Sequence, residues 1–215
     1  MTIQNLTFVV SDIHGESALL DKCLAAIQSR AASGTVIFTG DYIDRGPDSC
    51  GVIQRLIDGP PDGFAWKFIR GNHEDFALDA YDGGDPACWL SNGGYNALAS
   101  YPDMQIALHH IEWMQTLPRL LWDDLRVYTH AGVSESHELD EQPEAITQWF
   151  RYPRGADVGY RGKHVVHGHT PQANGPELYQ NRTNLDTGGV FTGRMCIGVF
   201  DDVSPGPIEI IEVKQ

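Results

Sequence analysis

No stretch of this 215-residue chain approaches the roughly 20 apolar residues that a membrane span requires. The segment Met1–Val10 also lacks the basic stretch and long apolar region of a targeting signal, so the expectation is a cytoplasmic protein with no membrane partner. Cysteine is scarce. Cys23, Cys50, Cys88 and Cys196 show neither close pairing nor metal-type spacing, which points to reduced, mostly buried thiols. Basic residues are in short supply too: 15 Lys and Arg stand against 29 Asp and Glu, for a formal net charge of −14. That balance argues against a sequence-independent grip on nucleic acid or an anionic membrane. Repeats, low-complexity tracts and a convincing linker are absent as well.

The residues present describe an ordinary globular protein. A hydrophobic content of 41% with 20% charged residues excludes a disordered chain, and 215 residues fit one domain with ample core. Strand-like runs alternate with helical patterns, predicting an α/β fold. Leu6–Val10, Thr35–Thr39, Trp66–Ile69, Leu125–Thr129 and Lys163–Val166 read as strands, as do Thr183–Leu185, Met195–Phe200 and Ile208–Val213. Ser17–Ala32 places Leu20, Cys23, Leu24 and Ile27 on one helical face, with Gly34 as its stop. Pro47–Ile57 reads as a second helix with proline in its first turn. The chain is expected to form one domain over residues 1–215, with a helical excursion at about 73–117.

Five polar clusters each follow a strand-like run: Asp12-Ile13-His14-Gly15, Gly40-Asp41-Tyr42-Ile43-Asp44-Arg45-Gly46, Gly71-Asn72-His73-Glu74, His130-Ala131-Gly132 and Gly168-His169-Thr170. In open α/β sheets the carboxyl ends of strands form the ligand crevice, so residues far apart in sequence converge there. Carboxylate with imidazole suits Mn, Fe or Zn rather than Ca. A carboxylate has two oxygens, so Asp41 is suited to bridging two metals about 3.5 to 4 Å apart. Asn72 offers a neutral carbonyl oxygen, and His130 and His169 sit beside small residues that allow close approach. Four other histidines are set aside: His109 and His110 in the helical stretch, His137 in an acidic loop, and His164 opening a strand. His167, two residues before His169, competes with it, and spacing alone leaves both open.

GDYIDRG at 40–46, GNHE at 71–74 and HAG at 130–132 resemble the calcineurin-like metallophosphoesterases, and within them the serine/threonine phosphoprotein phosphatases. The resemblance spans roughly residues 5–190. The segment Trp89–Gly94, the HGHT at 167–170 and Asp186-Thr187-Gly188-Gly189 are similar to the compact bacterial and phage branch. The longer eukaryotic C-terminal loop motif is missing, and Ser11 stands where the family usually has glycine. The resemblance implies a metallophosphoesterase fold: mixed sheets sandwiched between helices, with the site at strand C-terminal ends. It implies that Asp12, His14 and Asp41 hold a first divalent ion, and that Asp41, Asn72, His130 and His169 hold a second. Mn is expected, with Fe or Zn as alternatives. It further implies a bridging water or hydroxide as nucleophile, without a covalent phosphoenzyme.

His73 is expected to protonate the leaving alkoxide, with Asp44 orienting its ring. Arg45 and Arg151 are expected to clamp the phosphate, because a planar guanidinium matches two phosphate oxygens; Arg154 is the rival for the second clamp. The resemblance points to a phosphomonoesterase acting on phosphoserine or phosphothreonine in proteins, or on small phosphomonoesters. The alternative is symmetrical diadenosine tetraphosphate hydrolysis, for which Trp89, Tyr95 and Tyr101 could stack a base. No basic cluster beyond the two arginines is expected near the site, which disfavours a long polyphosphate chain. A non-catalytic module is disfavoured because the ligand set and the acid histidine are both retained.

Overall fold

The structure, a computed structural model, describes residues 5–215; residues 1–4, the head of the expected signal-free N-terminal segment, lie outside the described residues. Ten strands form two sheets. They are β1 (Thr7–Val10), β2 (Gly34–Phe38), β3 (Phe64–Phe68), β4 (Leu120–Trp122), β5 (Arg126–Thr129), β6 (His164–His167), β7 (Glu177–Leu178), β8 (Arg182–Asn184), β9 (Arg194–Phe200) and β10 (Glu209–Lys214). The first sheet has the order β10-β9-β1-β2-β3 and the second β4-β5-β6-β8-β7. β1, β2 and β3 pair in parallel, as do β5, β6 and β8. The remaining strands pair antiparallel at or toward the edges. Each sheet therefore presents several parallel strands whose C-terminal ends point the same way.

Alternation along the strands decides which layer each residue joins. Phe8, Val10, Val36 and Phe38 face the helices and share a large core with Leu20, Cys23, Leu24 and Ile27. Those four sit on α1 (Ser17–Arg30), on the face their spacing predicted. Val9, Ile37 and Phe200 point the other way and meet Tyr128, Val166 and Leu185 of the second sheet. Full burial of a Val, Leu, Ile or Phe side chain contributes about 1.5–3 kcal/mol, so this inter-sheet layer fixes the two sets of strand ends against each other. Among the described residues no long helix packs on the outer face of the second sheet. Val127 and Val165 are covered there by Val133, Tyr160 and Leu139 from connecting segments.

Several boundaries differ from the sequence reading. α1 ends at Arg30, and Gly34 opens β2 instead of capping the helix, since Leu6 backbone leaves no room for a Cβ there. α2 (Ser49–Ile57) starts two residues after Pro47, because Asp48 is its N-cap and accepts from Gly51 N at 2.8 Å. The short strands β4 and β7 carried no recognisable pattern. Residues 72–115 contain α3 (Asn72–Tyr81), α4 (Ala87–Trp89), a kinked turn at Leu90–Gly94 where Gly93 has φ 112°, α5 (Tyr95–Ser100) and α6 (Met104–Gln115). Two short helices, α7 (Glu144–Thr147) and α8 (Gly189–Thr192), and a 3-10 turn at Leu139–Glu141 complete the set among the described residues. Cys23 and Cys196 are buried, whereas Cys50 is half-buried and Cys88 exposed, so the expectation of mostly buried thiols holds for two of the four. Among the described residues no helix is long and apolar enough to cross a membrane.

Candidate metal centre and active site

Loops leaving β1, β2, β3, β5 and β6 bring the five polar clusters to one place between the sheets. Asp41 is at the middle. Its Oδ2 lies 3.4 Å from His14 Nε2 and 3.4 Å from His130 Nε2, so one carboxylate oxygen stands between two imidazoles. His130 Nε2 is also 2.8 Å from Asn72 Oδ1 and 3.2 Å from His169 Nδ1, which is itself 3.0 Å from Asn72 Oδ1. Asp12, His14, Asp41, Asn72, His130 and His169 are all buried.

Tautomers follow from the neighbours, because a carbonyl can only accept. His130 Nδ1 donates to Thr39 O at 2.9 Å and His14 Nδ1 to Ile43 O at 2.8 Å, so both Nε2 atoms carry lone pairs toward Asp41. Protonation does not relieve this crowding of acceptors. Burial is the largest cause lowering His130 to about 4 and His14 to about 3, with the Arg45 guanidinium adding to both. Converging lone pairs on buried imidazole and carboxylate groups are the donor set of a transition-metal site. Two groups, His14–Asp41–His73 and Asp41–His130–His169, have ligand atoms within 4.8 Å of one another and share Asp41. The residues thus fit a pair of divalent ions.

Asp12 is placed differently from its neighbours. Its two oxygens each accept from His169 N at 3.1 Å, and Ser11 Oγ donates to Oδ2, so the carboxylate ties the β1 loop to the β6 loop. Burial raises its pKa most, and the nearby Asp186 adds to the rise. His167 stays out of the cluster. Its Nε2 accepts from Arg182 Nη1 at 2.8 Å and its Nδ1 donates to Gly168 O at 2.9 Å, so of the two competing histidines His169 is the one beside Asn72 and His130.

His73 stands against the first half of the centre, its ring edge-on to His14 with centroids 4.6 Å apart. Nδ1 lies 2.6 Å from Asp44 Oδ2, while Nε2 points toward Asp41 Oδ2 at 3.9 Å. Burial pushes Asp44 up to about 8, opposed by a hydrogen bond from Trp89, and lowers His73, with the His14 and Arg45 charges adding to the drop. Arg45 is half-buried at the mouth: Nη1 donates to His14 Nε2 at 2.7 Å, and its guanidinium carbon lies 5.8 Å from the Phe191 ring centroid. Arg151 is exposed but close enough that its charge lowers His130 and His169. Arg154 instead lines a separate pocket with Tyr152, Thr170 and Arg182. Thr170, the residue after His169, is the link between that pocket and the cluster.

Backbone conformation marks the same residues. Asp12, His14, Asp41, Asp44, Arg45 and His169 all have φ between 47° and 73°, and Arg161 is the one other non-glycine residue with positive φ among the described residues. Such a conformation costs on the order of 1–3 kcal/mol each and persists only where the surroundings over-determine it. Glu74 supplies one such constraint. Its carboxylate accepts from Gly71 N at 2.8 Å, Asp41 N at 2.9 Å and Tyr42 N at 2.8 Å. Gly71 must be glycine for this approach, because a Cβ would enter the Asp41 carboxylate.

Sequence reasoning passed over several of these supports. Trp89, considered only as a stacking surface, donates from Nε1 to Asp44 Oδ1 at 2.9 Å. Asn96 Nδ2 donates to Arg45 O, and Gly93 O accepts from Arg45 N at 3.4 Å. Tyr101 pairs with the buried His110, which also meets Gln54 on α2, so neither serves the site.

A two-sheet α/β fold with paired imidazole–carboxylate clusters at its strand ends is that of a metallophosphoesterase. The chain belongs to the calcineurin-like phosphoesterase family, whose pattern matches residues 7–191. It is similar to serine/threonine-protein phosphatase 1 of Salmonella typhimurium, with 31% identity over 206 residues, covering 88% of this chain and 89% of that one. It is also similar to the symmetrical bis(5'-nucleosyl)-tetraphosphatase of Pectobacterium carotovorum, 31% identical over 165 residues that cover 72% of this chain and 55% of that one. The solved structure of a candidate diadenosine tetraphosphatase superposes with a TM-score of 0.71 at 25% identity, covering 99% of this chain and 95% of that one.

Proposed function

We propose that this chain is a metal-dependent phosphomonoesterase of the bacterial serine/threonine protein phosphatase type. The observation that carries the reading is the shared Asp41 oxygen, 3.4 Å from both His14 Nε2 and His130 Nε2, with the His73–Asp44 pair beside it. The match to the Salmonella phosphatase over most of both chains supports the substrate class.

In this reading Asp12, His14 and Asp41 hold one ion and Asp41, Asn72, His130 and His169 the other, with Mn favoured over Fe or Zn. Bound there, two divalent ions would supply hydroxide near neutrality and neutralise charge on the phosphoryl oxygens. Arg45 and Arg151 grip the remaining phosphoryl oxygens; Arg45 does so by turning its guanidinium from His14 to the substrate. His73 delivers a proton from Nε2 to the leaving oxygen while Asp44 at Nδ1 fixes the ring and stabilises the imidazolium. A dianionic phosphate entering the pocket favours that imidazolium, offsetting the burial that otherwise lowers His73.

A second reading, hydrolysis of a dinucleoside tetraphosphate, gains from the arginine-lined pocket beside Thr170 and from the full-length structural likeness. The deciding experiment is kcat/KM with Mn for a phosphoserine peptide, an aryl phosphate and diadenosine tetraphosphate. Phosphomonoesters should lead. A preference of tenfold or more for the dinucleotide, about 1.4 kcal/mol in transition-state binding, would move the assignment to the second reading.

A further inference from the structure

A pocket of about 380 Å³ opens beside the β6 loop, lined in part by Tyr152, Arg154, His167, Thr170 and Arg182. Its walls are chemically unlike the rest of this acidic protein. Arg182 is 1% exposed, and its guanidinium is held between the Tyr152 and Tyr179 rings, 4.6 Å from each centroid. Ala156 O accepts from Nε at 3.1 Å and Nη2 at 2.9 Å, His167 Nε2 accepts from Nη1 at 2.8 Å, and Glu177 Oε2 lies 3.4 Å from Nη2. The group is therefore a fixed positive wall whose charge one carboxylate partly offsets. Arg154, at the exposed rim, forms no hydrogen bond or ion pair among the described residues. Two guanidinium charges against one carboxylate leave the pocket with one net positive charge, in a chain whose formal net charge is −14.

Position gives this charge a use. Thr170 lines the pocket and is the residue after His169, while Tyr152 follows the proposed clamp Arg151. The segments that carry Arg151 and His169 thus also line the pocket.

We propose that the pocket between Arg154 and Arg182 is a second oxyanion subsite, which takes a carboxylate or phosphate carried by the substrate near its scissile phosphoryl group. The inference rests on the phosphoesterase reading. Arg154 supplies the movable donor at the rim, a guanidinium suited to two oxygens of one oxyanion, while Arg182, whose N–H groups already meet Ala156 O, His167 and Glu177, supplies only the fixed charge behind it. Glu177 limits the pocket to a single anionic group.

The test is calorimetric binding, in the presence of Mn, of non-hydrolysable phosphonate peptides. They carry glutamine, glutamate or phosphoserine at each position within three residues of the phosphonate. The wild-type protein should favour glutamate or phosphoserine over glutamine by about tenfold at one position. The larger preference identifies the source of the oxyanion, carboxylate or phosphate. Arg154→Gln should abolish that preference, and Glu177→Gln, which removes the opposing charge, should enlarge it. The absence of a preference at every position, or one that survives Arg154→Gln, would overturn the subsite. Because the readout is binding, it separates this idea from the activity: an enzyme that turns over no phosphoester would sink the proposed function while the peptide preference still reports on the pocket.

Discussion

The two halves of the centre share Asp41 and differ in what stands behind them. On the His130 side the supports are buried: Thr39 O orients His130, and Asn72 and His169 close the group, with the Asp12 carboxylate accepting from His169 N. On the His14 side nearly every residue leads to a further one. His14 meets Arg45, His73 meets Asp44, Asp44 meets Trp89, and Arg45 is held through its backbone by Gly93 and Asn96. Those last three belong to the helical stretch between β3 and β4. On the proposed function the difference teaches a division of labour: one half only donates lone pairs, while the other also carries the groups assigned to move a proton and to grip a phosphate. Rigidity for the second task is borrowed from the helices.

Removing the shared carboxylate should break both halves at once. Asp41→Ala is expected to lower kcat/KM by more than about 10³-fold and to abolish binding of both ions, as chelation should in the wild type until Mn is restored. His130→Ala should cost one ion and leave the other, so elemental analysis would show half the metal. If Asp41→Ala retains two ions per chain, the bridging role is wrong. His73→Asn comes next, keeping full metal content while kcat on a phosphoserine peptide drops about 10²- to 10⁴-fold. An aryl phosphate, whose leaving group needs no proton, should suffer much less; equal losses on both substrates would make His73 structural.

Arg45→Ala and Arg151→Ala should each weaken inhibition by inorganic phosphate by about 10-fold or more, together with turnover, because a clamp binds ground state and transition state alike. Arg154→Ala should weaken phosphate inhibition less than either; the reverse order would move the second clamp to Arg154. The smallest effect belongs to Trp89→Phe, which keeps an aromatic side chain, though a smaller one, and deletes one hydrogen bond to Asp44. A buried bond to a charged group is worth about 1.5–3 kcal/mol, of which only the part felt at His73 reaches the rate. A loss of about 3- to 10-fold in kcat on alkyl phosphates, with the metal content and aryl rate intact, would sharpen the contrast between the halves. A fall in metal content would erase it.

Most of the strand ends were legible because each ligand cluster follows an apolar run and begins at a turn residue, and a ligand's chemistry is written in its own side chain. The plural sheets came only with the family resemblance, and which strands join which sheet was not legible. That division depends on Val9 and Ile37 choosing Tyr128 and Val166 as partners across the core, which alternation within one strand does not reveal. Trp89 and Glu74 escaped for a related reason: their roles are hydrogen bonds to Asp44 and to the backbone of residues 41 and 42, fixed by tertiary contact. β4 and β7, at three and two residues, are too short for any period to show. Gly34 was misplaced because a glycine that admits a neighbouring backbone and one that ends a helix look alike in sequence.

The bond between Asp12 and the amide of His169 joins residues 157 positions apart, and β1 is flanked by β2 on one side and by β9, one of the last strands, on the other. During synthesis the early segments can assemble α1 and the β1–β2–β3 ladder, yet the centre lacks a wall until the chain has passed residue 169, and its sheet lacks an inner strand until residue 200 has emerged. Non-local closures of this kind come late because the chain entropy they cost is recovered only once both partners are present. A ribosome-bound fragment ending before the HGHT segment would therefore hold four of the five ligand loops and no working catalyst. On the proposed function, hydrolysis must await the emergence of residues 169 to 200.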